Sequence, residues 1–285
     1  MKALEEVFAE RFASPQNQIF IENVGLIVDA HKKRPIDVTK YDHRETSHNL
    51  ALSSQTTYGG VLIDRSVDEI CDRHKLNPRQ LVQFAKGETV ADMGAGTSDF
   101  LNAFIGSSET LAVDACARLL WEQRASGHRT IHARIPRLHK IESESVKLLN
   151  ASWSMPFWAE TLEDARETAR EYMRILTIGG VALIGPLTRS DVHEDWEQTI
   201  DSLKYGKHKK VGPWFDGERA FFSHTLAAFL DELSSLSTQA SLSSGYADIA
   251  FHRSAYTLSQ GYSYDYRSHV TPTQLPNHLM VRKVA

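Results

Sequence analysis

Residues 89–100 read TVADMGAGTSDF, and this stretch decides the fold that the sequence predicts. A short apolar run comes first, followed by Gly94 and Gly96 and then by a polar segment. The two glycines lack the side chains that would keep a ligand away from the backbone, and a helix beginning after them would offer unpaired N–H groups. The stretch therefore predicts a strand, a glycine turn and a helix over residues 98–106, which together form a nucleotide-type pocket.

An acidic residue follows at the distance that such a pocket needs. The apolar run Leu111–Val113 predicts the next strand, and Asp114 stands at its end. In dinucleotide folds, an acid roughly 20 residues after the glycines accepts hydrogen bonds from the ribose hydroxyls. We therefore expect Asp114 and the adjacent Ala115 to contact a nucleoside.

The residues around the glycines favour one class of nucleotide cofactor over another. A nicotinamide site favours a third glycine or alanine where this chain has Asp99. Asp92, two residues before the first glycine, is unfavourable beside a pyrophosphate and suits a cationic ligand. The pattern acid-x-Gly-x-Gly over Asp92–Gly96 resembles motif I of class I S-adenosylmethionine-dependent methyltransferases, with Ser98 as a mild departure. The alternative is an ordinary strand-to-helix turn that binds no ligand.

A second segment resembles the same family. Residues 163–176 have the spacing of an amphipathic helix, Gly179-Gly180 is expected to end it, and Val181–Ile184 predicts a buried strand. A helix, Leu-x-x-Gly-Gly and an apolar strand commonly surround the fifth strand of class I methyltransferases. The resemblance implies a Rossmann-like α/β sandwich of three layers over residues 87–285. Its sheet is expected to be seven-stranded and mostly parallel, with an antiparallel C-terminal hairpin.

The N-terminal region does not show alternating strand and helix patterns. Apolar residues at helical spacing predict helices near residues 4–12 and 67–74, and Asn77-Pro78 predicts the start of another. We interpret residues 1–86 as a helical cap over the mouth of the domain formed by residues 87–285. The resemblance implies that such a cap selects the acceptor, and Tyr58 is expected to line the mouth unless its segment is a surface loop.

The resemblance also implies which residues bind the cofactor, S-adenosylmethionine. The expected set is the motif I segment, the acid after the second strand with its neighbour, the serine after the fourth strand and one cap residue: Asp92, Met93, Gly94, Ala95, Gly96, Asp114, Ala115, Ser152 and Tyr58. Trp153 and His193 are candidates to contact the acceptor, although a core aromatic and a structural histidine explain them as well. No catalytic residue and no metal ligand is predicted. The adenine contact after the third strand stays open, with Glu142 and Glu144 as candidates or as solvated residues.

Composition excludes several other classes of protein. The 285 residues are 41% hydrophobic and sufficient for a full core, while a net charge of −4 indicates no basic face for nucleic acid. No apolar run approaches the ~20 residues of a membrane span. Cys71 and Cys116 show neither metal nor disulfide spacing, so we expect two core residues of a reduced, cytoplasmic protein. The oligomeric state is open, with a homodimer among the arrangements.

The resemblance implies an enzyme that transfers a methyl group from S-adenosylmethionine to an oxygen or nitrogen of a small-molecule acceptor, as in secondary metabolism. Orientation of the two partners in one cleft would supply most of the rate. Three alternatives stay open. They are a methyltransferase that acts on RNA or protein, a nicotinamide-dependent oxidoreductase on the same fold, and a non-catalytic protein with a decayed pocket.

Overall fold

The fold is described from a computed structural model of the chain. The structure describes residues 2–15, 57–58, 61–62, 65–152, 154–156, 159, 161–185, 225, 227–233, 235–236, 247–253 and 276–284. The helices are α1 (Leu4–Phe12), α2 (Val67–His74), α3 (Pro78–Phe84), α4 (Leu119–Ala125) and α5 (Leu162–Ile175), and residues 227–233 are also helical. The strands are β1 (Thr57–Tyr58), β2 (Val61–Leu62), β3 (Thr89–Met93), β4 (Glu109–Asp114), β5 (Arg129–His132), β6 (Val146–Ser152), β7 (Leu176–Gly185), β8 (Ala247–Arg253) and β9 (Pro276–Lys283).

Seven of these strands form one sheet in the order β5-β4-β3-β6-β7-β9-β8. Neighbours from β5 to β7 are parallel, and β9 runs antiparallel to both β7 and β8. The predicted α/β fold, with a mostly parallel sheet and an antiparallel C-terminal pair, is confirmed. Counted from β3, the five parallel strands take the order 3-2-1-4-5 of doubly wound nucleotide-binding sheets.

Helices cover both faces of this sheet, because its strands are apolar on both sides. Ala91 and Met93 of β3 share a core with α5 and with helical residues 227–233. Val90, directly before Ala91, has the opposite orientation in the alternating pattern and faces the core that contains α1, α2 and α3. The side chain of Asp92 follows the same alternation and therefore lies on the face covered by α1, α2 and α3.

The three described N-terminal helices are part of this core. Phe8 of α1, Ile70 of α2 and Leu81 of α3 are buried in one cluster with sheet residues such as Leu148 and Val181. Their apolar faces therefore cover the sheet, whereas the sequence suggested a cap over its mouth. The division of the chain at residue 86 stays a prediction, and most of residues 16–64 lie outside the described part.

Helix starts follow local capping signals in the sequence. The Asn77 side chain accepts hydrogen bonds from the N–H groups of Arg79 and Gln80, as predicted for a helix with Pro78 in its first turn. Ser66 caps α2 by accepting a hydrogen bond from the N–H of Glu69. This cap fixes where α2 begins and therefore where the preceding residue, Arg65, enters the core.

Two predicted element ends are wrong. Helix α5 ends at Ile175, and Gly179-Gly180 lies inside β7, because Val146 pairs with Leu176 while Leu148 pairs with Val181. The extra residues of β7 bulge between these pairs, and a Cβ on Gly180 would lie 2.8 Å from the carbonyl oxygen of Thr177. The bulge therefore requires glycine for reasons of space.

The helix predicted over residues 98–106 is also absent from the structure. Phe100–Ala103 forms a single 3-10 turn, in which the N–H of Phe104 donates to the carbonyl of Leu101. Phe100 and Phe104 are both buried, and their ring centroids lie 4.9 Å apart. Packing of these two side chains places the short segment in the core. Among all described helices, none is long and apolar enough to cross a membrane.

Candidate functional site

The glycine turn lies where the order of the parallel strands reverses. From β3 the chain proceeds outward to β4 and β5, and it then returns to place β6 on the other side of β3. In open α/β sheets, ligands bind in the crevice at the carboxyl ends of the strands at this reversal. The turn after β3 is therefore at the position where the fold places a ligand.

Backbone conformation and close packing both shape the turn. Gly94 has φ +68° and Gly96 has φ +51°, which are values that residues with a side chain rarely adopt. A Cβ on Gly94 would lie 2.6 Å from Oγ of Ser154, so the segment after β6 presses directly against the turn. The two loops that flank the strand reversal are in contact.

Protein acceptors already bind most N–H groups of the turn. The N–H of Ala95 donates to the carbonyl of Val113 at 2.9 Å, and that of Gly96 donates to Oδ2 of Asp114 at 2.9 Å. The N–H of Ser98 donates to the carbonyl of Ala95, and that of Phe100 donates to Oγ of Ser98. With these donors engaged and no α-helix following, the turn has little to offer a phosphate group.

Asp114 connects the turn to the end of β4. Its Oδ2 accepts from the N–H of Gly96, and its Oδ1 accepts from the N–H of Cys116 at 2.7 Å. The side chain is only partly buried. A carboxylate can accept about four hydrogen bonds, so two positions of Asp114 stay available to hydroxyl donors of a ligand.

Asp92 belongs to a buried polar network beneath the turn. The Asn150 side chain donates from Nδ2 to Oδ1 of Asp92 at 2.7 Å, and Ser152 donates from Oγ to Oδ1 of Asn150 at 2.7 Å. Asp92 is fully buried, and burial raises the pKa of its carboxyl group, while the charge of Arg65 lowers it. Its Oδ2 has no hydrogen-bond partner within the described residues. Asp92 is therefore linked to Asn150 and Ser152 by hydrogen bonds beneath the turn.

The structure brings most of the predicted cofactor residues together at one sheet edge. Asp92 and Met93 end β3, and Gly94, Ala95 and Gly96 form the turn after it. The side chains of Met93 and Ala95 are fully buried, so only their backbone is at the site. Asp114 and the exposed Ala115 lie beside the turn, and Ser152 ends β6 with its hydroxyl directed to Asn150.

The roles of Tyr58, Trp153 and His193 at the site stay predictions. The backbone of Tyr58 belongs to β1, which pairs only with β2 among the described strands. Trp153 and His193 lie outside the described residues. Among the residues that the structure describes, no group of His, Cys, Asp or Glu could hold a metal ion.

The two glutamates proposed for adenine contact are at the wrong end of the sheet. Glu142 and Glu144 precede β6, and Oε1 of Glu144 accepts a hydrogen bond from Nζ of Lys283 at 2.9 Å. Lys283 also donates to the carbonyl of Leu176, the first residue of β7. This contact lies at the amino ends of the parallel strands, whereas the glycine turn is at their carboxyl ends.

Sequence reasoning missed three residues that hold the turn. Asn150 pairs directly with Asp92 across β3 and β6, and a polar residue in the apolar run of β6 was a usable signal. Gln123 of α4 donates from Nε2 to the carbonyls of Gly96 and Ser98. Arg65 donates a hydrogen bond to the carbonyl of Gly94 at 2.8 Å, and no pattern in the sequence around Arg65 predicted this contact.

The two cysteines are expected to differ in reactivity. Cys71 is buried in α2, and burial raises the pKa of its thiol to about 12, whereas Cys116 is partly exposed beside Asp114. The prediction that both are core residues is therefore wrong for Cys116. In the intact protein near neutral pH, we expect a maleimide to label Cys116 and to spare Cys71, as measured by peptide mass spectrometry.

A ligand that contacts Asp114 should slow this labelling of Cys116. Cys116→Ser is the control, because it should leave the folded protein unlabelled. Equal labelling of both cysteines in folded protein would contradict the burial of Cys71.

Comparisons with known proteins show that this chain is similar to solved structures. No protein-family model and no curated protein matches the chain. A similar structure is an S-adenosylmethionine-dependent methyltransferase from Clostridium acetobutylicum ATCC 824, with 16% identity and a TM-score of 0.37. The alignment covers 51% of this chain and 58% of the Clostridium protein, which is less than two thirds of that protein's length.

Two further solved structures illustrate the range of matches. A possible exported protein from Bordetella parapertussis has 15% identity and a TM-score of 0.44, over 85% of this chain and 79% of its own. The N-methyltransferase NodS from Bradyrhizobium japonicum WM9, in complex with S-adenosylhomocysteine, has 14% identity and a TM-score of 0.39, over 57% and 84%. Because these identities and TM-scores are low, the proposed function rests on the geometry of the site.

Proposed function

We propose that this protein is an S-adenosylmethionine-dependent methyltransferase acting on an oxygen or nitrogen of a small-molecule acceptor. The observation that carries the proposal is the glycine turn at the strand reversal, with the Asp114 carboxylate beside it and the Asp92 carboxylate beneath it. A nucleoside cofactor with a cationic end fits this arrangement.

The site favours such a cofactor over a dinucleotide. A pyrophosphate needs free N–H groups at a helix N-terminus, but here the turn continues into a 3-10 turn and its N–H groups at residues 95, 96, 98 and 100 are engaged. Asp114 adds a partly exposed negative charge, which repels phosphate and attracts a sulfonium or ammonium group, whereas Arg65 lies beside the buried Asp92. The nicotinamide-dependent alternative is therefore disfavoured.

The chain offers each part of the cofactor a chemically suitable partner. Asp114 has free acceptor positions for the two ribose hydroxyls, and Ala115 lies exposed next to it for contact with the base. Gly94 and Gly96 bring the backbone close to the ligand without side chains. When bound, the cofactor supplies an activated methyl group.

The contribution of the chain itself is to bind and orient. Hydrogen bonds to Val113, Asp114 and Gln123 hold the turn without a ligand. Holding two reactants in one geometry supplies about 7–11 kcal/mol of the barrier reduction in well-oriented reactions. A net charge of −4 favours a small acceptor over a nucleic acid.

Calorimetric titration of the purified protein with S-adenosylmethionine, S-adenosylhomocysteine and NAD tests the proposal. We expect both adenosyl compounds to bind and NAD to show no binding. Asp114→Ala should weaken S-adenosylhomocysteine binding at least ~100-fold, because each hydrogen bond to a charged group contributes about 1.5–3 kcal/mol. The mutation also removes the acceptor for the N–H groups of Gly96 and Cys116.

Glu109→Gln is the matched control for this substitution. Glu109 begins the same strand that Asp114 ends, and it forms an exposed ion pair with Arg129 at the opposite end of the sheet. Its replacement should leave the affinity for S-adenosylhomocysteine unchanged. Binding of NAD alone would support the oxidoreductase, and the absence of binding by all three compounds would contradict the proposed function.

A further inference from the structure

We propose that Arg65 is the positioning residue of the cofactor turn, holding the Gly94 carbonyl and balancing the buried charge of Asp92 from a segment outside the turn. The inference concerns the same site as the proposed function and rests on it where cofactor binding is measured. Its electrostatic part stands on the protein alone.

The geometry joins Arg65 to the turn at three points. Its Nη1 donates to the carbonyl of Gly94 at 2.8 Å, and its Nη2 lies 3.4 Å from Oδ1 of Asp92. In return, Oγ of Ser98 donates to the backbone carbonyl of Arg65 at 3.2 Å. Both the side chain and the main chain of Arg65 are therefore fixed against residues of the turn.

The guanidinium contact holds the conformation that the turn needs. Gly94 has positive φ, and the direction of its carbonyl depends on that conformation. Nη1 of Arg65 would also lie 3.4 Å from a Cβ placed on Gly96, so the guanidinium lies close against both glycines. A planar guanidinium can contact a carbonyl and a carboxylate at once, which the single ammonium of lysine does less well.

Burial makes the charge of Arg65 effective. The Arg65 side chain is 13% exposed and that of Asp92 is 0% exposed, so water screens their attraction weakly. Among the described residues, the ionisable groups that interact electrostatically with Asp92 are Arg65 before α2, Asp114 at the end of β4 and Tyr172 of α5. Arg65 is the cation in this set, while Asn150 and Ser98 are neutral hydrogen-bonding neighbours.

Removing Arg65 should therefore leave a buried carboxylate without its balancing charge. Burial already raises the pKa of Asp92 above its unfolded value near ~3.9, so stability falls as pH rises through the folded pKa. Without Arg65 the pKa of Asp92 rises further, and the loss extends to higher pH. A structural contact alone would produce no such dependence on pH.

The experiment measures Tm at pH 5 and pH 8 for Arg65→Met, Asp92→Asn and the double variant. We expect Arg65→Met to lower Tm by about 5–10 °C at pH 8 and by less at pH 5. In the Asp92→Asn background the same substitution should cost much less at pH 8, because no carboxylate is left to balance. Arg65→Lys should recover part of the loss.

Arg73→Met is the matched control. Arg73 lies in α2 on the same segment and pairs with Glu69, away from the turn. Its replacement should show no coupling to Asp92→Asn. An equal, pH-independent cost of Arg65→Met in both backgrounds would overturn the proposal.

S-adenosylhomocysteine titration separates this inference from the proposed function. Arg65→Met should weaken binding at least tenfold while Arg73→Met leaves it unchanged. If the unmodified protein binds no adenosyl compound, the proposed function fails, and the Tm coupling still decides the role of Arg65. Unchanged S-adenosylhomocysteine affinity in Arg65→Met would contradict its role in positioning the turn.

Discussion

Replacing Gly94 with alanine is expected to abolish S-adenosylhomocysteine binding and to lower the free energy of unfolding by about 2–5 kcal/mol. Two separate causes add. The residue has φ +68°, which disfavours any side chain, and the new Cβ would lie 2.6 Å from Oγ and 3.1 Å from Cβ of Ser154. The turn and the segment after β6 must therefore move apart, and both form the site. Denaturant unfolding and calorimetric titration measure the two effects.

Gly87→Ala separates conformation from crowding. Gly87 has φ +77°, but apart from its chain neighbours no described residue has an atom within 4 Å of a Cβ placed on it. We expect Gly87→Ala to cost about 1–2 kcal/mol from backbone conformation alone and to leave ligand binding intact. In a Ser154→Ala background, Gly94→Ala should cost less stability, because Oγ of Ser154, the atom nearest to the new Cβ, is absent. Equal costs for Gly94→Ala and Gly87→Ala would show that crowding by Ser154 is unimportant.

Replacing Asn150 with aspartate is expected to destabilise the protein by about 3–5 kcal/mol at neutral pH. The amide of Asn150 donates to the buried carboxylate of Asp92 at 2.7 Å, so the substitution places a second carboxylate against the first. Two such groups cannot both ionise without a large cost in a buried site. Urea unfolding between pH 4 and pH 8 measures the effect.

The pH dependence of this variant has a definite sign. In the folded state, each of the two carboxylates raises the pKa of the other. The folded protein therefore holds a proton that the unfolded chain releases above pH ~4. Stability should therefore be highest at low pH and should fall as pH rises through the folded pKa. Asn150→Leu removes the hydrogen bond without adding charge and should show a much weaker slope.

Exchanging the two residues provides a rescue. The double variant Asp92→Asn, Asn150→Asp restores one carboxylate and one amide across β3 and β6, which pair at these positions. It should recover most of the stability lost in Asn150→Asp. Failure of this rescue together with a flat pH profile would contradict the buried network.

Local patterns in the sequence were enough to predict the glycine turn and its strand. Gly94 and Gly96 adopt positive φ values that glycine favours and that residues with a side chain rarely adopt, and Asp114 falls at the end of the next strand. The spacing in Leu162–Ile175 and the cap at Asn77 also follow from neighbours within a few residues. These features depend on interactions that are short in sequence, so the chain specifies them directly.

Other features depend on contacts between distant segments. Phe100 and Phe104 pack into the core, so the segment after the turn forms a 3-10 turn where local pattern predicts a helix. The N-terminal helices cover the sheet because Phe8 and Ile70 bury against it. Apolar periodicity shows that a helix has a buried face, but it does not show which surface that face meets.

The sequence by itself determined the α/β pattern, the glycine turn and the acid at the end of β4, since residue type and short-range spacing encode each of them. Only the tertiary structure decided that Arg65, 27 residues before Asp92, lies beside that buried carboxylate, and that Asn150 meets it from the neighbouring strand. A charge that folding buries must be balanced by residues that the tertiary structure brings close to it. The sequence around the charged residue does not identify those residues.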